Sequence, residues 1–196
     1  MASPGTYTVT MSKEVDGVIT QLSEPVNFEV EQLREGALKG SSPEATAAFW
    51  REVEDMQKSV NAASRVLRNT IKKVDAMQVA LSRSELKPGV LEDDMFDLQQ
   101  DPFDIDEKLN GNGSKKEIGE KSPPTLNDRL SVAFSGTSNS TYGPTPTHQR
   151  NLEIAQKQFV EIKSELDDIT KNRIPVLEEQ LLEAGAPWTE GGPIPE

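Results

Sequence analysis

The sequence predicts a mainly α fold: a three- to four-helix antiparallel bundle with two long helices, preceded by a small N-terminal β segment. Three observations lead there. Two stretches, 43–85 and 147–184, carry apolar residues three and four apart, the spacing that gathers one seam along one side of a helix. The composition is lean, 34% hydrophobic and 5% aromatic, with a mean hydropathy of −0.58. That is too little apolar material for a thick globular core and suits thin layers of amphipathic helix. Third, residues 4–31 alternate apolar with polar side chains, the period of a half-buried strand.

In the β segment, Tyr7, Val9 and Met11 alternate with Thr6, Thr8 and Thr10. Val15-Asp16-Gly17-Val18 carries a hairpin turn signal, because Asp-Gly tolerates the positive φ that tight hairpin turns need. Val18–Thr20 and Val26–Val30 supply two more short strands. Three strands are close to the minimum for an independently stable sheet, so residues 1–31 read as the end of a truncated sandwich. A small meander packed on the helices is the alternative. Residues 32–42 form a linker.

The bundle is expected over 43–188. Ser42 is a good N-cap, Pro43 suits the first helical position and Glu44 favours the positive helix end. Phe49, Val53, Met56, Val60, Ala63, Leu67, Val74 and Leu81 trace the first seam, which Lys87-Pro88-Gly89 stops. A third helix, 90–110, uses Val90, Leu91, Met95, Leu98, Ile105 and Leu109, with Pro102 expected to kink or split it. Asn110-Gly111-Asn112-Gly113-Ser114 is a strong break, and Lys115–Ser122 a charged connection. Pro123-Pro124-Thr125 opens a short helix anchored by Leu126, Leu130, Val132 and Phe134 and ending at Gly136. The last seam runs Leu152, Ala155, Phe159, Ile162, Leu166, Ile169, slips near Ile174, then resumes at Leu177 and Leu181. Pro175 predicts a kink there. The two long helices are expected to lie antiparallel, each hiding the other's seam. Gly185 reads as the C′ residue, Pro187 as the exit, Trp188 as folding back on the bundle, and 189–196 as an extended tail.

Charge and composition bound the function. A net charge of −12 disfavours nucleic acid and anionic membrane as main partners. No apolar run is long enough for a membrane span, and no signal peptide pattern opens the chain. With no Cys there is no disulfide, thiol nucleophile or Cys-based zinc site.

Possible chemical motifs are weak. The acidic stretch Asp101–Asn112 fails both calcium-loop registers, since Lys or Leu falls where a ligand or the turn glycine is needed. His148, the only histidine, cannot build a two-His metal site, and its place at a helix start favours packing or a structural hydrogen bond. The Ser/Thr/Gly-rich loop 135–143 lacks phosphate-loop spacing and a Lys. Asp167-Asp168 and Glu178-Glu179 are adjacent on one helix and point in different directions, unlike carboxylates facing across a glycosidase cleft. No cofactor or metal is implied. The remaining possible ligand site is the loop and helix start over 135–150, with Asp128, Tyr142, His148 and Arg150 converging.

The string PPTLNDRLSVAFSGTSNSTYGPTPTHQRNLEIAQKQFVEIKSELDDI, followed by IPVLEEQLLEAGAPW and together spanning Pro123 to Trp188, resembles the C-terminal region of bacterial proteins with BNR or sortilin-like (VPS10-like) repeats, often labelled glycosyl hydrolases. Ala2–Val9 resembles the final strands of the Ig-like sandwich that precedes the helical region in that family. The resemblance implies a non-catalytic C-terminal module of a larger, exported (periplasmic or secreted) parent. Its partners would be other domains of that parent or another subunit, and a homo-oligomer formed through the seam is a further possibility. The family's Asp-box pattern, Ser-x-Asp-x-Gly-x-Thr-Trp, occurs nowhere in the chain, so no hydrolase residue is carried over. Any such activity would lie outside these residues.

Overall fold

The computed structural model describes residues 2–33, 39–84 and 89–190. The expected stop at Lys87-Pro88, the middle of the linker and most of the tail lie outside the described residues.

The fold is mainly α, with two long helical runs and a small N-terminal hairpin. Helix α1 is Pro43–Ser82, 40 residues, about 60 Å at 1.5 Å per residue. Its start follows from the cap: Ser42 Oγ accepts the Ala45 N–H at 3.1 Å, with Pro43 and Glu44 behind it. Neither Gly nor Pro interrupts it. Thr46, Phe49, Val53, Met56, Val60, Ala63, Leu67, Thr70, Val74 and Met77 are buried, alternating three and four apart. Thr70 joins the seam without cost, because its hydroxyl donates back to the Val66 carbonyl at 3.0 Å.

Helix α2 is Val90–Asn110. It runs through Pro102 without splitting, and Pro102 is buried with Met95, Leu98, Ile105 and Leu109. After a short helix α3 (Gly113–Glu117), helix α4 is Leu126–Ser138. It continues two residues past the expected stop at Gly136. Its inner face is Leu126, Leu130, Ala133 and Thr137. Val132 and Phe134, read as anchors, are exposed, since they sit off that i, i+4, i+7 row. Phe134 instead meets Trp50 edge-on, ring centres 5.3 Å apart.

The final run is α5 (Pro146–Asp168), a single π turn (Ile169–Arg173) and α6 (Ile174–Glu183). The expected kink at Pro175 is resolved this way. Proline lacks an N–H and its ring crowds the carbonyl four residues earlier. The π turn, with the Ile174 N–H bonded to the Ile169 carbonyl, inserts one residue just before it. Ile169 and Ile174, five apart, are both buried, so the seam crosses the turn intact. The run ends in a Schellman cap: Gly185 N–H to Leu182 carbonyl at 3.0 Å, Ala186 N–H to Leu181 carbonyl at 2.9 Å, and Gly185 at φ 68°. Trp188 is half exposed beside Leu181 and Leu182.

The helices form three legs. The first is α1. The second descends as α2 and then α4, joined nearly end to end, with Asn127 Nδ2 bonding Asn110 Oδ1 at 2.7 Å. The third is α5 through α6. The start of α1 meets the start of α5, Ser41 N–H donating to the Tyr142 carbonyl at 2.9 Å. Far along both, Lys73 pairs with Glu178 at 2.9 Å. The two long helices therefore run parallel, correcting the expected antiparallel pair. Antiparallel packing is between each of them and the broken middle leg. Contacts of α4 with α5, and of α2 with α1 and α6, bury one continuous core from Phe49 to Leu181.

The β segment is one long bent hairpin. β1 (Gly5–Val9) pairs antiparallel with β4 (Val26–Val30), and β2 (Ser12–Val15) with β3 (Val18–Gln21). The expected turn is present, with Asp16 and Gly17 at φ 51° and 78°. The expected strand through Met11 ends at Val9, and Ser12–Val15 forms a strand of its own. Register puts Tyr7 opposite Phe28 and Val9 opposite Val26, so one face of β1–β4 is apolar. The other face carries Thr6 with Glu29 and Thr8 with Asn27, hydrogen-bonded at 2.5 and 2.7 Å. Val9, Val26 and Phe28 are about half exposed.

Candidate functional site

The loop and helix start over 135–150 are built on close backbone approach. Gly143 has φ 78°, and a Cβ there would lie 2.5 Å from Thr46 Oγ1 and 2.8 Å from Ser41 Cβ. The loop is thereby clamped onto the start of α1. His148 closes the cap of α5: its N–H donates to Thr145 Oγ1 at 3.4 Å, and its Nδ1 accepts the Thr145 N–H at 3.2 Å. Accepting at Nδ1 leaves the proton of the neutral ring on Nε2. The ring lies flush on Gly136 of α4, where any Cβ would collide with it.

The four residues of the expected site do not gather round one cleft. Asp128 caps α4 through Thr125, its Oδ2 accepting the Thr125 N–H at 2.9 Å. That N–H, and after it the Thr125 hydroxyl, hold the Asp128 carboxyl below its ordinary value. Asp128 sits eight residues from Gly136, roughly 12 Å along α4 from the level of His148. Arg150 turns to Glu153 on its own helix at 3.2 Å, in solvent. Tyr142 projects from the loop, exposed. Two of the four, Asp128 and His148, are capping residues by geometry.

A different feature is the hollow where the middle leg breaks. Between Asn110 and Leu126 the chain leaves the bundle as α3 and a Pro-rich return, so no helix covers that part of α5. The space left is about 480 Å³, walled by Asp104 and Lys108 of α2, by Gly111 and Pro123-Pro124, and by Gln158, Glu161 and Ile162 of α5. Ion pairs frame it. Lys108 Nζ bonds both Glu165 oxygens at 2.6 and 2.7 Å, and Lys115 bonds Glu107 at 2.6 Å. The Lys115 bond, and then one from Asn112, lower the Glu107 carboxyl; the same pair raises Lys115. Lys108, which lines the hollow, is thus bound within the chain, and so is Lys115. Asp104 lies within electrostatic reach of Lys115, and neither it nor Glu161 makes a hydrogen bond or close ion pair among the described residues. Gln158 Oε1 is buried in the wall and has no hydrogen-bond partner there.

The sequence held one signal for this hollow: a Gly/Asn break and a Pro-Pro pair interrupting the leg between two long seams. Its depth depends on how α2 and α4 are stacked, which periodicity does not encode.

Among the described residues no group of three or more His, Asp or Glu could hold a metal ion, and no helix is long and apolar enough to cross a membrane. Compared with protein-family models, curated proteins and solved structures, the chain matches none.

Proposed function

We propose that the chain is a non-catalytic helical module with a structural or protein-interaction role, docked through its N-terminal hairpin onto a β-sheet layer of a larger, exported protein of the BNR/sortilin-like repeat kind. One observation carries this reading. The β1–β4 ladder is two-sided, polar on the Thr6/Glu29 face and apolar on the Tyr7/Phe28 face, and Val9, Val26 and Phe28 on that apolar face are about half exposed. A two-stranded ladder is marginal alone, and an amphipathic sheet needs a second layer over its apolar face. Tyr7 and Phe28 stack at 5.9 Å, a preformed ridge for such a layer. The outer edges of the hairpin also leave backbone groups free for strand addition.

The bundle supports a scaffold role. Its long helices bury one seam, and the polar groups of Asp128, His148 and Arg150 serve caps and local pairs. The experiment is to read the coding sequence upstream of Met1 and express the chain joined to it. An in-frame β-domain that covers Tyr7, Val9, Val26 and Phe28 is the expected result. A stop codon directly before Met1 would overturn the reading.

A further inference from the structure

We infer that the outer face formed by α1 and α2 is an interface for a second copy of this chain, an isologous dimer whose two-fold axis runs along the groove between the two helices. The apolar seam is used up inside the chain, so a second copy would meet the outside of the bundle. Aromatic side chains are enriched in protein interfaces, and this chain has few to spare, 5% of its residues. Yet Phe96, Phe103 and Phe134, half of its six phenylalanines, are exposed on the middle leg. Phe96 and Phe103 lie seven residues apart on one side of α2, 60% and 49% exposed. Gln99 lies between them on that side and donates to Gln78 Oε1 of α1 at 2.8 Å. The two rings therefore rim the α1–α2 groove where it opens to solvent. Val79 of α1, also exposed, stands level with the gap between them.

Charge selects the occupant. Lys72 and Arg83 lie eleven residues apart, and so do Asp93 and Asp104. Eleven residues are close to three full turns of helix, so each pair forms one stripe. The Gln78–Gln99 bond sets the antiparallel register and brings Lys72 level with Asp104 and Arg83 level with Asp93. One rim of the face is thus basic and the other acidic. All four side chains are exposed and make no hydrogen bond or close ion pair among the described residues. Asp104, at the edge shared with the hollow, feels Lys115 only at a distance. A two-fold axis along the groove lays each basic rim over the acidic rim of the other copy, at both edges at once, with the phenylalanines between. An unrelated partner would need the same pattern of its own, whereas a second copy already carries it. The 21 residues of α2 span about 30 Å, and two helices side by side are about 20 Å wide, so about 600 Å² is covered on each copy. That is the low end of specific interfaces and sets a dimer that dissociates in the micromolar range. This inference is independent of the hairpin and stands whether or not a β-domain covers it.

Sedimentation equilibrium of the full chain, from about 1 to about 300 µM, measures this. A monomer–dimer equilibrium with a Kd on the order of ten micromolar is expected, weakening several-fold as salt rises from about 0.05 to about 0.5 M. Phe96→Ser combined with Phe103→Ser should weaken it by about tenfold or more, with the monomer's Tm unchanged because both rings are exposed. Two charge variants test the pairing itself. Lys72→Glu with Arg83→Glu makes both rims acidic, and Asp93→Lys with Asp104→Lys makes both basic. Each should be monomeric alone, while an equimolar mixture of the two should dimerise, since every rim then meets its opposite. A chain that stays monomeric throughout the range would overturn the interface. So would a dimer that persists in either charge variant alone or in the phenylalanine variant, or a mixture that fails to pair.

Discussion

Gly136 of α4 and His148 of α5 are in close contact, and they give opposing signs to one substitution. Alanine in a helix interior is favoured over glycine by about 1 kcal/mol. Here its Cβ would strike the imidazole and break the Thr145 cap. Gly136→Ala is therefore expected to destabilise by about 1–2 kcal/mol in the parent chain, and to stabilise in a His148→Ala background. A thermal-unfolding double-mutant cycle measures this, and additivity would contradict the contact. The second cap gives a pH prediction. The Asp128 carboxyl is depressed, so the folded state binds fewer protons there than the unfolded chain does. Its contribution is present above the ordinary aspartate value of 3.8 and lost as pH falls through the lower folded value. Asp128→Asn should lower stability by about 0.5–2 kcal/mol at neutral pH and flatten the acid limb of the stability profile. Little of this residue detail was legible. A box closed by His148 in place of Glu or Gln, and one closed by Asp128, fall outside the usual Ser/Thr-x-x-Glu/Gln pattern. Which side chains meet in space is equally unreadable from the chain, where Asp128, Tyr142, His148 and Arg150 lie near one another only in sequence. The fold separates Asp128 by two turns of α4.

The elements themselves were largely written in the periodicity. The seams of α1 and α5–α6 are buried nearly as spaced, and the slip at Ile174 is real. Its form was less legible: a five-residue step from Ile169 to Ile174 followed by Pro175 reads as a kink, while the chain accommodates it with a π turn. The explanation is testable by length. Deleting Lys171 alone should return the run to α geometry and press the Pro175 ring onto a carbonyl, costing about 3 kcal/mol. The same deletion combined with Pro175→Ala should restore stability to within about 1 kcal/mol, because steps of four, three and four keep Ile174, Leu177 and Leu181 on the seam. Unfolding by denaturant compares the two. Equal loss in both would refute the compensation. At α4 the expected anchors Leu126 and Leu130 are buried, while Val132 and Phe134 give way to the smaller Ala133 and Thr137 on the inward row.

At the scale of the molecule, direction was the part that sequence could not supply. A seam states which side of a helix is covered, not which way its neighbour runs. The break between Asn110 and Leu126 splits one leg in two, and that makes the long helices parallel. Lys73 and Glu178 tie their upper ends, with the Glu178 side chain only 9% exposed. Lys73→Met would strand that carboxylate and should cost about 1–3 kcal/mol, whereas changing both residues to Met should be close to neutral. Calorimetry on the single and double variants measures this; an equal loss in both would show that the pair itself is stabilising. The hairpin stands apart from the core these legs enclose. Its apolar face is visible in the sequence as alternation from Tyr7 to Val30.

Whether that face is open in the isolated chain is measured most directly by hydrogen exchange along the whole sequence. Amide protection tracks the free energy of local opening. In the isolated chain the Gly5–Val9 and Val26–Val30 amides should exchange orders of magnitude faster than those of Val53–Met77 and Ala155–Leu166. They should slow markedly once a β-domain is joined to the N-terminus. Hairpin amides as slow as the helical core in the isolated chain would contradict the account, because the strands would then already have their second layer.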